Sequence, residues 1–346
     1  MKTSNLAKNT MLSLFVSAAL VSCSDDDNDA IVINDGESTS VKLYASNNAD
    51  GNITIYDVTD QSAVTSKTLI TTSIAADGVY YDATNDFLLQ ASRTDLGLEG
   101  YNNTNSLVSG ATLTVDVDGT NDMQSPREVA VNGNFIVVAD NADVDGDPLT
   151  PDGRLYVYTK DGNTITLRNT ITTSFKLWGI TFDNNNLYAV VDATNELAVF
   201  TDFLSNTTDM SLTASKRIIV EGIVRTHGLT FDASSDVMIL TDIADAANGQ
   251  DDGGFHYIEN FTSKFNAVAN GGTLEVSQQV RVSGASTLLG NPVDVAYDAS
   301  TQTVYIAEAG NGGGRILAFN NFEAGGNITP FINNSLAAAS AVYLSK

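Results

Sequence analysis

The chain has 346 residues, 42% of them hydrophobic, and a formal net charge of −25, with two histidines and one cysteine. A surface this acidic repels phosphate backbones and anionic headgroups, which excludes nucleic acid as a partner and favours cations. Proline is scarce, and short Val, Ile, Leu and Tyr runs are punctuated by Gly, Asn, Asp, Ser and Thr, the pattern of an all-β chain.

Residues 1–22 read as an export segment: Lys2 and Lys8 form a basic start, residues 11–21 an apolar stretch, and Leu20-Val21-Ser22-Cys23 follows. This ending resembles the lipobox of bacterial lipoproteins, and the resemblance implies that Cys23 is acylated and anchors the chain to a membrane. No thiol then remains for a disulfide, a metal or nucleophilic catalysis. Residues 23–40 form an acidic tether that opens with Ser24-Asp25-Asp26-Asp27-Asn28-Asp29. That run resembles the signal carrying some lipoproteins to the outer face of the bacterial outer membrane, and it also suits a solvated linker. No later apolar run is long enough to span a membrane.

From residue 41 the chain repeats itself. Asp77-Gly78-Val79-Tyr80-Tyr81-Asp82, Arg127-Glu128-Val129-Ala130-Val131-Asn132 and Trp178-Gly179-Ile180-Thr181-Phe182-Asp183 share one pattern. His227-Gly228-Leu229-Thr230-Phe231-Asp232, Val293-Asp294-Val295-Ala296-Tyr297-Asp298 and Ala339-Ser340-Ala341-Val342-Tyr343-Leu344 continue it. A period near fifty, filled by four short strands, marks the blade of a β-propeller. The phase is offset at the ends: residues 41–46, 52–58 and 66–72 read as second, third and fourth strands, and residues 341–345 supply the missing first. The expected fold is therefore a six-bladed β-propeller over residues 41–346, with four antiparallel strands per blade and both termini in one blade. Blade four is clearest, with strands at 179–183, 186–192, 196–201 and 216–221. In blade two, residues 106–109 and 113–117 compete for the third strand. Blade five carries extra residues at 244–254 and 261–272.

The runs at 292–298, 304–308 and 315–319 resemble an NHL or YncE-type propeller repeat, a likeness of fold that hosts unrelated functions. Strand polarity places the starts of first strands and the ends of second strands on one face. Its inner ring is Asp77, Arg127, Trp178, His227, Val293 and Ala339; Ser46, Ser92, Asp140, Asp192, Asp242 and Glu308 surround it. The loops at 93–105, 141–153, 243–254 and 309–314 fall on the same face, which makes this mouth the expected ligand site, with Asp77, Arg127, Trp178, His227, Asp192, Asp242 and Glu308 as its binding residues. Each second-strand carboxylate also suits a turn-closing role. Trp178 is suited to stacking on a sugar ring or to packing between blades. His227 is suited to acid–base or ligand duty or to a bond with a neighbouring loop, whereas His256 lies in an apolar strand and reads as structural.

Asp77-Gly78 is similar to one element of the SMP-30/gluconolactonase propellers, a resemblance that implies a divalent metal at the mouth. His227-Gly228 stands where that family has Asn-Gly, and its Glu-Gly-Pro element is missing. No Gly-x-Ser-x-Gly elbow accompanies either histidine. A second metal signal is Asn141-Ala142-Asp143-Val144-Asp145-Gly146 with Asp152 in the twelfth position, hard oxygens spaced as in a Ca²⁺ loop. Pro148 and Pro151 exclude a true EF-hand. Asp116, Asp118 and Asp122 are a weaker version. Two functions follow: a non-enzymatic surface module that takes a glycan, peptide or protein at the mouth, or a metal-dependent lactonase using Asp77 and His227.

Overall fold

In the computed structural model, which describes residues 40–346, the alternating apolar runs fold into six sheets, one for each repeat. Blade one joins the termini: Ala339–Ser345 pairs antiparallel with Lys42–Asn47, from Lys42 opposite Ser345 to Asn47 opposite Ala339, and Ile53–Asp57 and Thr65–Leu69 follow outward. The expected six blades and terminal closure are both present. The export segment, Cys23 and the tether lie outside the described residues.

First strands line the axis: Ala76–Asp82, Pro126–Asn132, Leu177–Asp183, Leu229–Asp232 and Pro292–Asp298, with Ala339–Ser345 completing the ring. The core is divided into six apolar clusters, one between each pair of neighbouring blades. Both faces of every blade are thus buried, which is why second strands such as Phe87–Ser92 and Thr303–Glu308 are buried at every residue.

Three details differ from the sequence reading. In blade two the third strand is Gly97–Asn102 rather than 106–109 or 113–117, and Val117–Asp118 forms the fourth. Two glycines and a glutamate hide its apolar signal. The Phe87 ring occupies the space over Gly100, and Glu99 is buried, accepting the Tyr101 hydroxyl at 2.5 Å. Residues 97–102 of the expected 93–105 mouth loop are consequently strand. Blades three and four each carry a fifth strand, Met210–Leu212 and Thr273–Leu274, added in parallel at the outer edge by the following blade. Of the extra residues of blade five, 261–267 form the helix Phe261–Ala267, whose Phe261 and Phe265 are buried in the interblade core, while 244–253 remain a loop. Those added strands cover backbone edges that would otherwise be open to pairing with another chain.

Candidate functional site

At the start of the first strands the pairing slips by a β-bulge, between Ala76 and Val79, Pro126 and Val129, Leu177 and Ile180, and Pro292 and Asp294. Bulges re-aim side chains, and here they turn one residue per blade across the mouth. Asp77, Arg127 and Trp178, placed in this way, form a continuous chain with His227, which precedes the first strand of blade five. Arg127 donates from Nη1 to Asp77 Oδ2 at 2.8 Å, and its guanidinium carbon lies 4.2 Å from the centre of the Trp178 ring. On the other face of Trp178 the His227 ring is stacked at 3.8 Å, with only 4° between planes. Gly179 makes this approach possible: its N–H donates to His227 O at 2.9 Å, and a Cβ there would sit 2.6 Å from that oxygen.

Both faces of Trp178 are therefore covered, and it packs between blades rather than offering a surface to a sugar. Asp77 and His227, expected as partners in a lactonase, stand at opposite ends of this chain. The Asp77 carboxylate is committed: Asn48 donates to Oδ1 at 2.7 Å, and Arg93 Nε lies 3.8 Å from Oδ2 beside Arg127. Guanidinium groups at that carboxylate repel a metal ion. At the other end, His227 Nε2 lies 3.2 Å from Asp192 Oδ1, but its N–H is not directed at that oxygen, so both ring nitrogens are buried without a hydrogen bond. Burial lowers the His227 pKa against the pull of Asp192, with Arg225 and Arg127 pushing the same way as burial. Burial works against ionisation of Asp192, but His227, Asn141 and Arg225 outweigh it and hold the carboxyl below its usual range. Since burial favours neutral His227, the full positive charge beside Asp192 is that of Arg225, whose Nη2 donates at 2.8 Å.

The outer-ring carboxylates close turns. Asp140 accepts from the N–H groups of Gln124, Ser125 and Ala142, at 2.6, 3.1 and 2.8 Å. Asp242 accepts from Val224, Arg225 and Ala244, at 3.0, 3.1 and 3.0 Å. Glu308 accepts from Gly290, Asn291, Gly310 and Asn311, at 3.0, 2.9, 2.7 and 2.8 Å. Each ties its own turn to the loop entering the same blade, and all three are fully buried. The structure thus gives Asp242 and Glu308 a turn-closing place rather than one on the ligand surface.

No family model and no curated protein matches the chain. Solved structures match its architecture. A chain of a nidogen/laminin complex aligns with TM-score 0.57 and 14% identity, over 89% of this chain and 98% of that one. A protein of unknown function from Bacteroides caccae gives 0.53 and 10%, over 89% and 100%. A candidate 6-phosphogluconolactonase from Bacteroides fragilis NCTC 9343 gives 0.54 and 9%, over 89% and 98%. Likeness at such identities establishes the fold alone.

Of the expected metal residues, Asp143, Asp145 and Asp152 converge, with one oxygen from each within 4.8 Å of the others. Asn141 does not join them; its amide donates to Leu177 O at 2.6 Å and to Asp192 Oδ2 at 3.0 Å. The three carboxylates also hold their own loop: Asp143 accepts from Gly146 N at 2.9 Å, Asp145 from Asp147 N at 2.8 Å, and Asp152 from Val144 N. Lys176 Nζ lies 4.0 Å from Asp143. The set can supply three hard oxygens to a cation.

The sequence reading missed Arg93 and Arg225, which hold the two ends of the mouth chain. It also missed Glu128 and Asp294, which lie one position further down the axis. Their signal was available: they occupy the repeat position that is glycine in three other blades.

Proposed function

We propose that this protein is a surface lipoprotein whose propeller, of NHL or YncE type, binds a protein or peptide partner at the loop-rich mouth. The observation that carries this reading is the rim. Ile74, Leu149 and Val224, on three separate mouth-side loops, are 69%, 87% and 63% exposed, while the carboxylates of Asp77 and Asp192 beneath them are paired with arginine. Half-buried Arg93, Lys176 and Arg225 stand inside that rim. Exposed aliphatic side chains with arginine between them suit a protein interface, and Leu149 borders a groove of about 500 Å³ formed with Thr172, Ser174 and Leu212. The metal-dependent lactonase reading is the weaker one, because Asp77 is already neutralised by arginine.

A photo-crosslinking residue at position 149 or 224, on intact cells, is expected to capture a partner. Leu149→Asp with Val224→Asp should abolish the capture and weaken binding of the purified partner at least tenfold. Equal capture from position 163, on the opposite face, would contradict the proposal. So would turnover of a lactone or ester that is lost in both Asp77→Ala and His227→Ala. Anchoring through Cys23 predicts that Cys23→Ala abolishes membrane association in fractionated cells.

For the acidic loop we propose Ca²⁺ held by Asp143, Asp145 and Asp152, in a structural role. Binding to the native state raises its stability by mass action, so melting in millimolar calcium should occur several degrees above melting in chelator. Asp143→Ala with Asp145→Ala should erase the difference. A wild-type curve that ignores calcium would dispose of this site.

A further inference from the structure

Below the mouth the axis widens into a cavity of about 240 Å³. At its upper end the equivalent first-strand positions are Ser340, Gly78, Glu128, Gly179, Gly228 and Asp294, in order around the ring. The glycines are forced by crowding: a Cβ at Gly78 would lie 2.6 Å from Val129 N, and one at Gly228 would lie 2.5 Å from Asp294 Cα. Ser340 turns aside, with Oγ donating to Ala76 O at 2.5 Å. Glu128 and Asp294 are left to reach the lumen, from blades three and six, which face each other across the ring.

We propose that this cavity is a binding site for a small primary ammonium ion, held between the Glu128 and Asp294 carboxylates with its alkyl part against the aromatic wall below. Three observations converge on it. First, the Glu128 and Asp294 carboxyl groups border the same cavity, each anchored by a backbone N–H, Val129 N donating to Glu128 Oε1 at 2.8 Å and Val342 N to Asp294 Oδ2 at 2.7 Å. Glu128 is deep in the ring yet keeps accessible surface, and that surface faces the cavity. Burial, with Asp294 and Asp77 nearby, pushes the Glu128 carboxyl well up; burial and Asp77 push Asp294 up to about 7 against the Val342 and Val295 N–H groups and Glu128, which pull it down. Second, Tyr80, Phe182, Tyr297 and Tyr343 line the wall, and among the described residues no Lys, Arg or His does. The π faces attract a cation, and the cavity holds no cationic group for an anion. Third, a depression on the face opposite the mouth shares Tyr80, Tyr297 and Tyr343 with the cavity and adds Asp82 and Asp232, with Lys346 at its edge paired to Asp298. This acidic vestibule is a route of entry for a cation.

An ammonium group fits the pair because its three N–H donors serve both carboxylates, and a proton held on either carboxyl leaves to solvent. Two carboxylates in a largely apolar wall fall short of the six to eight oxygens that Ca²⁺ takes. The test is calorimetric titration of the chain from residue 24 onward with n-butylammonium chloride at pH 8, with 1-butanol and calcium chloride as parallel arms. Saturable butylammonium binding is expected, weakened at least tenfold in Glu128→Gln and in Asp294→Asn, with no binding of 1-butanol. In the wild type, NMR ring signals of Tyr80 and Tyr343 should move with the same saturation curve, a readout that does not depend on the variants folding. No saturable binding, equal binding of 1-butanol, unmoved tyrosine signals or binding of calcium in place of the amine would each overturn the proposal.

Discussion

Deleting residues 339–346 is expected to abolish the cooperative fold. Ala339–Ser345 is the innermost strand of blade one, and it contributes buried Ala339 and Val342 to the core shared with blade six and Ala341 to that shared with blade two. Its loss leaves Lys42–Asn47 as a bare edge on the axis and opens the ring. Removing these apolar groups together with a full ladder costs on the order of 5–10 kcal/mol, comparable with the whole stability of an ordinary domain. The truncated chain should aggregate on size exclusion and lose its thermal transition. Because Ser345 pairs with Lys42, the same segment moved in front of residue 41 through a two-residue turn should re-form the strand as a hairpin. That variant should fold, with a lower melting temperature because no covalent link then runs from blade six into blade one. A truncated chain that melts like the wild type would show that the terminal strand is dispensable.

Replacing Glu308 with Ala should be the most damaging single side-chain truncation at the mouth. Its carboxylate accepts four backbone N–H groups from two loops. Alanine strands those donors where water has little access, and bonds to a charged acceptor are worth about 1.5–3 kcal/mol each, though not additively. A loss of about 3–5 kcal/mol is expected in denaturant unfolding, and less for Glu308→Gln, which keeps one acceptor. Leu149→Asp, at an exposed site, should leave stability nearly unchanged. A Glu308→Ala chain within about 1 kcal/mol of wild type would refute the turn-closing role.

The contrast between Glu308 and Asp192 shows where reading from sequence stops. Both end a second strand, and both were equally plausible as turn closers or as members of a ligand ring. Glu308 is saturated by backbone donors, whereas Asp192 is met by side chains from two other segments, Asn141 of blade three and Arg225 and His227 on the connection into blade five. Both positions carry a carboxylate at the same point of the repeat, and the difference comes from what the neighbouring segments bring within reach.

The repeat period, the phase offset between the termini and the alternation of apolar residues together determined six blades and their closure, because strand pairing within a blade is local and each blade must bury both faces. Where that signal failed, at Gly97–Asn102, the packing was supplied by Phe87 from another strand and left no trace in the segment itself. The mouth was legible as a ring of positions but not as a set of contacts. Only the tertiary structure decided that Trp178 is covered on both faces, that Asp77 is held by arginine and that Glu128 and Asp294 border one cavity on the axis. Those pairings join residues about fifty to more than one hundred and sixty positions apart, and they depend on the radius of the closed ring, which no single repeat encodes.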